Sequence, residues 1–173
     1  DSEVGKGSRF HIELRLPRAA SPAEAPESAT TRLEGARVLV VDDNLTNLDI
    51  LRLQLGGWGM QVHCAESGAQ ALEALHEAAG LGQPFDLAIL DMHMPGMDGL
   101  QLAQAIHAEP ALAPTRLIML TSTFVAGSAR EREAAGILRC VSKPVRQSEL
   151  HGVVSWALGA GKAAAPPPAA SDA

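Results

Sequence analysis

Val38-Leu39-Val40-Val41-Asp42-Asp43 is a run of four apolar residues closed by two carboxylates. A short, wholly apolar run is the pattern of a strand buried on both faces, as in a parallel sheet covered by helices. Three further runs, mostly apolar, follow the same plan. Phe85 to Leu90 delivers Asp91, Leu117 to Leu120 delivers Thr121, and Ile137 to Val141 leads into Ser142-Lys143-Pro144. Parallel strands gather their last residues on one edge of the sheet, where open α/β sheets bind their ligands. That edge is predicted to hold three carboxylates, a hydroxyl and an ammonium.

Helical patterns alternate with these strands. The first strand, Arg37–Val41, precedes a helix from Leu45 to Leu55 with Asn44 as N-cap. Leu48, Leu51 and Leu55 share one of its faces, and Gly56-Gly57 is expected to end it. A strand over Gln61–Cys64 leads to a helix capped by Ser67 that buries Ala71, Leu72, Leu75 and Ala79. The third strand is Asp86–Leu90, and the helix after Asp98 carries Leu102, Ala103 and Ile106. A fourth strand, Leu117–Leu120, is followed by a weakly amphipathic segment, Ala126–Ala135. The fifth strand is Leu138–Val141, and the last helix runs from Ser148 to Leu158. Five βα units without an internal repeat predict an α/β fold, a parallel sheet with helices on both faces.

The flanks differ in composition. Residues 1–16 include an alternation with Phe10, Ile12, Leu14 and Leu16 on one side. Residues 17–34 are rich in Pro, Ala, Ser, Thr and Glu, the composition of a linker, and residues 159–173 read as a second linker or a disordered tail. The 173 residues are 46 % hydrophobic but only 3 % aromatic, without tyrosine, so the core must be built from Leu, Val, Ile and Ala. A formal charge of −6 argues against nucleic acid or an anionic membrane as the main partner. Cys64 and Cys140 lack metal-ligand spacing, which fits a reduced, cytoplasmic compartment. No apolar stretch approaches the roughly 20 residues of a membrane span, and no signal peptide pattern opens the chain.

The acidic edge carries the chemistry. Mg²⁺ takes oxygen ligands, commonly one or two carboxylates, and retains several waters. Asp42, Asp43 and Asp91 in one place would repel one another unless a cation compensated. Beside such a cation, Asp91 is suited to attack phosphorus as a carboxylate nucleophile. Lys143 and Thr121 would neutralise and hydrogen-bond the oxygens of the transferred group, and no further base is required.

Val-Leu-Val-Val-Asp-Asp-Asn, Asp-Met-His-Met-Pro-Gly-Met-Asp-Gly, Leu-Thr-Ser and Val-Ser-Lys-Pro-Val resemble the four signature blocks of response-regulator receiver domains, in family order. The resemblance covers residues 35–158 and implies a flavodoxin-like sheet with strand order 2-1-3-4-5. It also implies that Asp91 is the phosphoacceptor, with Thr121 and Lys143 as its catalytic companions. Mg²⁺ (or Mn²⁺) would be bound by Asp43 and Asp91 directly, by Asp42 largely through water, and by the backbone carbonyl of His93. The Lys143–Pro144 bond would be cis. Many members carry Tyr or Phe three residues before the lysine as a rotameric switch; here Cys140 stands there, with Phe124 as a weak substitute. His93 and Thr123 occupy the two variable positions that resemble those tuning dephosphorylation.

Glu3-Val4-Gly5-Lys6-Gly7-Ser8-Arg9-Phe10 is similar to the last glycine box of a histidine-kinase ATP-binding domain, where glycines let backbone N–H groups approach phosphates. Residues 1–17 then read as a remnant of that domain, Gly5 and Gly7 as vestigial nucleotide-binding glycines, and residues 18–34 as the linker to the receiver domain. The whole would be cut from a hybrid sensor histidine kinase, an enzyme, whereas this fragment would only phosphorylate and dephosphorylate itself. Its partners would be a phosphohistidine domain and a histidine phosphotransfer domain, with no nucleic acid and no membrane insertion. The location would be cytoplasmic, with the parent kinase anchored in the inner membrane as one option. Two alternatives remain at this level. An aspartate-nucleophile phosphatase uses similar groups but needs an acid two residues after the nucleophile, where this chain has His93. The other is a receiver-like interaction module that is never phosphorylated.

Overall fold

A computed structural model describes residues 33–122 and 128–159, together with two short strands, Ser2–Glu3 and Gly7–Ser8, paired antiparallel. The main sheet comprises β1 (Arg37–Val41), β2 (Gln61–Ala65), β3 (Leu87–Asp91), β4 (Arg116–Thr121) and β5 (Ile137–Ser142). All neighbours are parallel and the order is β2-β1-β3-β4-β5, the expected flavodoxin-like topology. The connections run one way from β1 to β2 and the other way from β3 to β5. The strand order therefore reverses beside β1 and β3, where such sheets bind ligands.

The helices are α1 (Leu45–Gly57), α2 (Gly68–Gly80), α3 (Gly99–Ala108), α4 (Ala129–Ala134) and α5 (Gln147–Gly159). Period-two alternation along the strands divides the core. Val38, Val40, Leu87, Ile89, Ile118, Leu120 and Val141 face α1 and α5. Leu39, Val41, Ala88, Leu90 and Leu117 pack on the other side with the buried residues of α2 and α3. Each such Val, Leu or Ile side chain withdrawn from water stabilises the fold by about 1.5–3 kcal/mol.

Local signals set the helix starts. Asn44 caps α1 by accepting from the Thr46 N–H, and Ser67 caps α2 by accepting from the Gln70 N–H. Asp98 and Gln101 form a reciprocal capping box on α3, as do Ser128 and Glu131 on α4. The start of the sheet is aligned by Asp86, whose carboxylate accepts the Arg37 N–H at 2.9 Å. The Arg37 guanidinium lies 5.1 Å from the centre of the buried Phe85 ring.

Three expectations need correction. Gly56 and Gly57 belong to α1, and the reversal comes at Gly59, whose φ of +81° is the left-handed conformation that ends the turn. In α2, Ala78 joins Ala71 and Leu75 in the core, while Leu72 and Ala79 only flank it, because 71, 75 and 78 complete the inward stripe. Leu33, which composition assigns to the linker, is wholly buried in the core. α4 differs from the other helices in burying none of its residues. The glycines expected near the N-terminus divide: Gly7 lies in its two-residue strand, and Gly5 falls outside the described residues, as do Phe10, Thr123 and Phe124.

Gly136 turns the chain from α4 into β5 with φ +71°, and a Cβ there would stand 2.6 Å from Nδ1 of His107. Gly136→Ala should therefore cost about 1–3 kcal/mol in urea unfolding, combining left-handed strain with the steric contact. Adding His107→Ala should recover only the steric part.

Candidate functional site

The same alternation that sorts the core also builds the site. Asp42 follows Val38 and Val40 at a spacing of two, Asp91 follows Leu87 and Ile89, and Lys143 follows Val141. All three belong to the strand faces that look towards α1 and α5. Asp42 is 1 % exposed and Asp91 6 %, whereas Asp43, one residue on from Asp42, is exposed to solvent. Carboxylate oxygens of Asp42, Asp43 and Asp91 lie within 4.8 Å of one another.

Lys143 joins them. Its Nζ donates to Asp42 Oδ2 at 2.8 Å and pairs with Asp91 Oδ1 at 2.8 Å. The lysine reaches the site from the residue after β5, two strands from β3, and its own N–H is held by the Thr121 carbonyl at 2.8 Å. The Lys143–Pro144 peptide bond is cis, as the family resemblance implies. Burial opposes the lysine's charge, but hydrogen bonds and charge from Asp42 and Asp91 outweigh it. The ammonium is therefore held above the ordinary lysine value of 10.5. A cleft of about 410 Å³ opens beside it, with Asp42, Asn47 and Lys143 on its polar side and Ile50, Leu51 and Val145 among its apolar walls.

Thr121 is the buried last residue of β4, paired in register with Ser142, while its neighbour Leu120 pairs with Asp91. The β3–α3 loop is tied down at both ends. Met92 donates to the Leu120 carbonyl at 2.9 Å, and its own carbonyl accepts from Gly99 at 3.0 Å. Gly99 brings α3 so close that a Cβ there would collide with the Asp91 carbonyl oxygen. Met97 of this loop packs against Gly68 at the start of α2. His93 is exposed in the loop, two residues past Asp91.

Two contributors were not anticipated. Asn44, read only as a cap, also donates its backbone N–H to Asp42 Oδ1 at 2.9 Å. Asn47 donates from Nδ2 to both oxygens of Asp42, at 3.2 and 3.1 Å. The available signal was the spacing: a polar amide in the first turn of a helix that starts next to a buried carboxylate. The cysteines stand apart from the site's chemistry. Both are free and half-buried, and burial pushes both thiols up. At Cys140 the charges of Arg132 and Arg139 oppose that effect.

The sequence profile of the response regulator receiver domain matches residues 38–155, and the chain belongs to that family. It is 36 % identical over 179 aligned positions to the virulence sensor protein BvgS of Bordetella bronchiseptica, covering 96 % of this chain and 14 % of that protein. It is 32 % identical over 117 positions to the signal transduction histidine-protein kinase BarA of Escherichia coli, covering 68 % of this chain and 12 % of BarA. The chain thus spans under a sixth of the length of these relatives, and it is homologous to receiver regions of hybrid sensor kinases. Among solved structures, the chemotaxis response regulator CheY4 of Vibrio cholerae superposes with a TM-score of 0.64 at 27 % identity, over 71 % of this chain and 98 % of that one. The pocket of Asp42, Asp43 and Asp91 is the acidic pocket typical of phosphoacceptors in two-component signalling.

Lys143→Met would leave two buried carboxylates facing each other without a counter-charge. A stability loss of about 1–3 kcal/mol at neutral pH is expected, smaller than for a fully buried pair because the lysine is partly exposed. Because the folded pKa is raised, the difference between wild type and variant should persist up to pH 10.5. It should vanish only as the pH rises through the higher folded value, as read by urea unfolding across alkaline pH.

Proposed function

We propose that Asp91 accepts a phosphoryl group from a phosphohistidine and later yields it to a second histidine or to water. The observation that carries this reading is Lys143 bridging Asp42 and Asp91 at 2.8 Å each, inside a carboxylate cluster spanning 4.8 Å. In the transfer, an Asp91 carboxylate oxygen forms a bond to phosphorus as the phosphorus–nitrogen bond breaks. The imidazole leaves with the bonding electrons and is reprotonated from solvent. Lys143 follows the developing charge on the phosphoryl oxygens, and Thr121, at the end of the adjacent strand, offers a hydroxyl to the same oxygens.

A cluster of three hard oxygen donors, one of them exposed, fits a small divalent cation. Asp43 and Asp91 would hold Mg²⁺ or Mn²⁺, with the His93 carbonyl adding a ligand and Asp42 acting through water. The cation would supply charge neutralisation at the phosphoryl oxygens. Asp42, already engaged by Lys143, Asn44 and Asn47, is suited to that indirect role.

The parent protein in this reading is a hybrid histidine kinase acting in the cytoplasm, with a phosphohistidine domain as donor and a histidine phosphotransfer domain as acceptor. Residues 1–17, including Gly5 and Gly7, would be the end of its ATP-binding domain, joined to the receiver through the linker that ends before the buried Leu33, with residues 159–173 as a further linker. The BvgS alignment supports this, since its 96 % coverage extends well beyond the receiver match. With Cys140 at the position where many family members carry an aromatic, signalling to the output surface would rely on Thr121.

Incubation with acetyl phosphate and Mg²⁺ should give a single adduct by intact mass, absent without the cation and absent in Asp91→Asn. Repeated turnover of phosphomonoesters would instead identify a phosphatase, and failure to form any adduct would identify an unphosphorylated module.

A further inference from the structure

We propose that Asn47 is a positioning residue for the acidic pocket: its amide clamps the Asp42 carboxylate from the α1 side, limiting how far Asp42 can draw Lys143 away from Asp91. The inference rests on the reading of Asp91 as phosphoacceptor and adds a residue to that site.

An ionised carboxylate offers about four lone-pair positions. Protein donors make two contacts to each oxygen of Asp42: the Asn44 N–H on Oδ1 at 2.9 Å, Lys143 Nζ on Oδ2 at 2.8 Å, and the forked Asn47 amide on both. At 1 % exposure, Asp42 has little access to water to replace a missing donor. If the amide were removed, the Lys143 ammonium would be the main remaining source of compensation. A lysine drawn towards Asp42 is less available to Asp91, and an Asp42 free to turn no longer faces a cation site in a fixed orientation.

The fold places Asn47 for this task. It is the third residue of α1, and side chains in a helix lean towards its N-terminus, here towards the end of β1. Asn44 fixes the helix start by capping Thr46, so clamp and cap belong to one rigid turn. A neutral amide also suits the position. Glutamate or aspartate is favoured in the first turn by the helix dipole, but another carboxylate there would face Asp42 without a proton to donate. Groups that orient metal-site carboxylates typically change metal affinity or activity by about 10–100-fold when removed.

The test measures Mn²⁺ affinity by water-proton relaxation, and the Mg²⁺ dependence of acetyl phosphate labelling by intact mass, in wild type, Asn47→Ala and Asn47→Gln. Asn47→Ala should weaken Mn²⁺ binding about tenfold and raise the half-saturating Mg²⁺ by a similar factor. Unfolding in urea should show a modest loss in Asn47→Ala, because the buried Asp42 carboxylate loses a donor, and little loss in Asn47→Gln, which keeps one. Asn47→Gln, which keeps the amide, should recover most of the affinity. The proposal is overturned if Asn47→Ala binds Mn²⁺ within about twofold of wild type. It is also overturned if both variants lose affinity and stability together, since that pattern marks a merely structural residue. If wild type binds Mn²⁺ but forms no adduct, the phosphoacceptor reading fails, and Asn47 is still judged on the Mn²⁺ affinities alone. Absence of both binding and labelling overturns both.

Discussion

The Lys143 ammonium, held 2.8 Å from carboxylates of both Asp42 and Asp91, is the interaction on which the rest of the site depends. Two aspartates taken almost wholly out of water at adjacent strand ends repel each other, and removing charge from water is itself costly. A single cation placed between them offsets both effects. It also links three separate parts of the chain: the ends of β1 and β3, and the residue following β5. The lysine must cross the end of β4 to reach them. Its position therefore depends on the register of β4 against β5 and on the Thr121 carbonyl that holds its N–H.

The helices serve this edge unequally. α1 begins on it, with Asn44 and Asn47 donating to Asp42. α3 begins beneath it, brought to the Asp91 backbone by the missing side chain of Gly99. α4 stands at the other extreme, with no buried residue of its own. The edge that carries the acidic pocket is thus braced by the starts of α1 and α3, while α4 lies against β5 without burying a residue of its own. Cys140 lies on β5 beside it, half-buried.

Much of this was legible along the chain, because a parallel sheet buried on both faces writes itself as short apolar runs. The runs ending in Asp42-Asp43, Asp91 and Thr121 gave the strands to within a residue or two, and Asn44, Ser67 and Asp98 marked the helix starts. The misses share a cause. Gly56-Gly57 looked like a helix stop because glycine is permissive, yet only the reversal at Gly59 uses that freedom. Leu33 looked like linker because its neighbours in sequence are polar, whereas its burial is provided by residues far along the chain. Asn47 passed unnoticed because an asparagine in a first helical turn acquires meaning only when a carboxylate is brought to it.

By itself, then, the sequence determined the strand–helix alternation, the burial of the strands and the identity of the groups at the sheet's edge. These follow from residue types and periods of 2 and 3.6 residues. Tertiary structure decided which of those groups touch. Lys143 is 101 residues from Asp42, and no local pattern can specify which oxygen it bonds or which amide opposes it. Those choices come from strand register and helix docking, which bring strand ends together as whole faces and leave a buried charge only the partners that packing supplies.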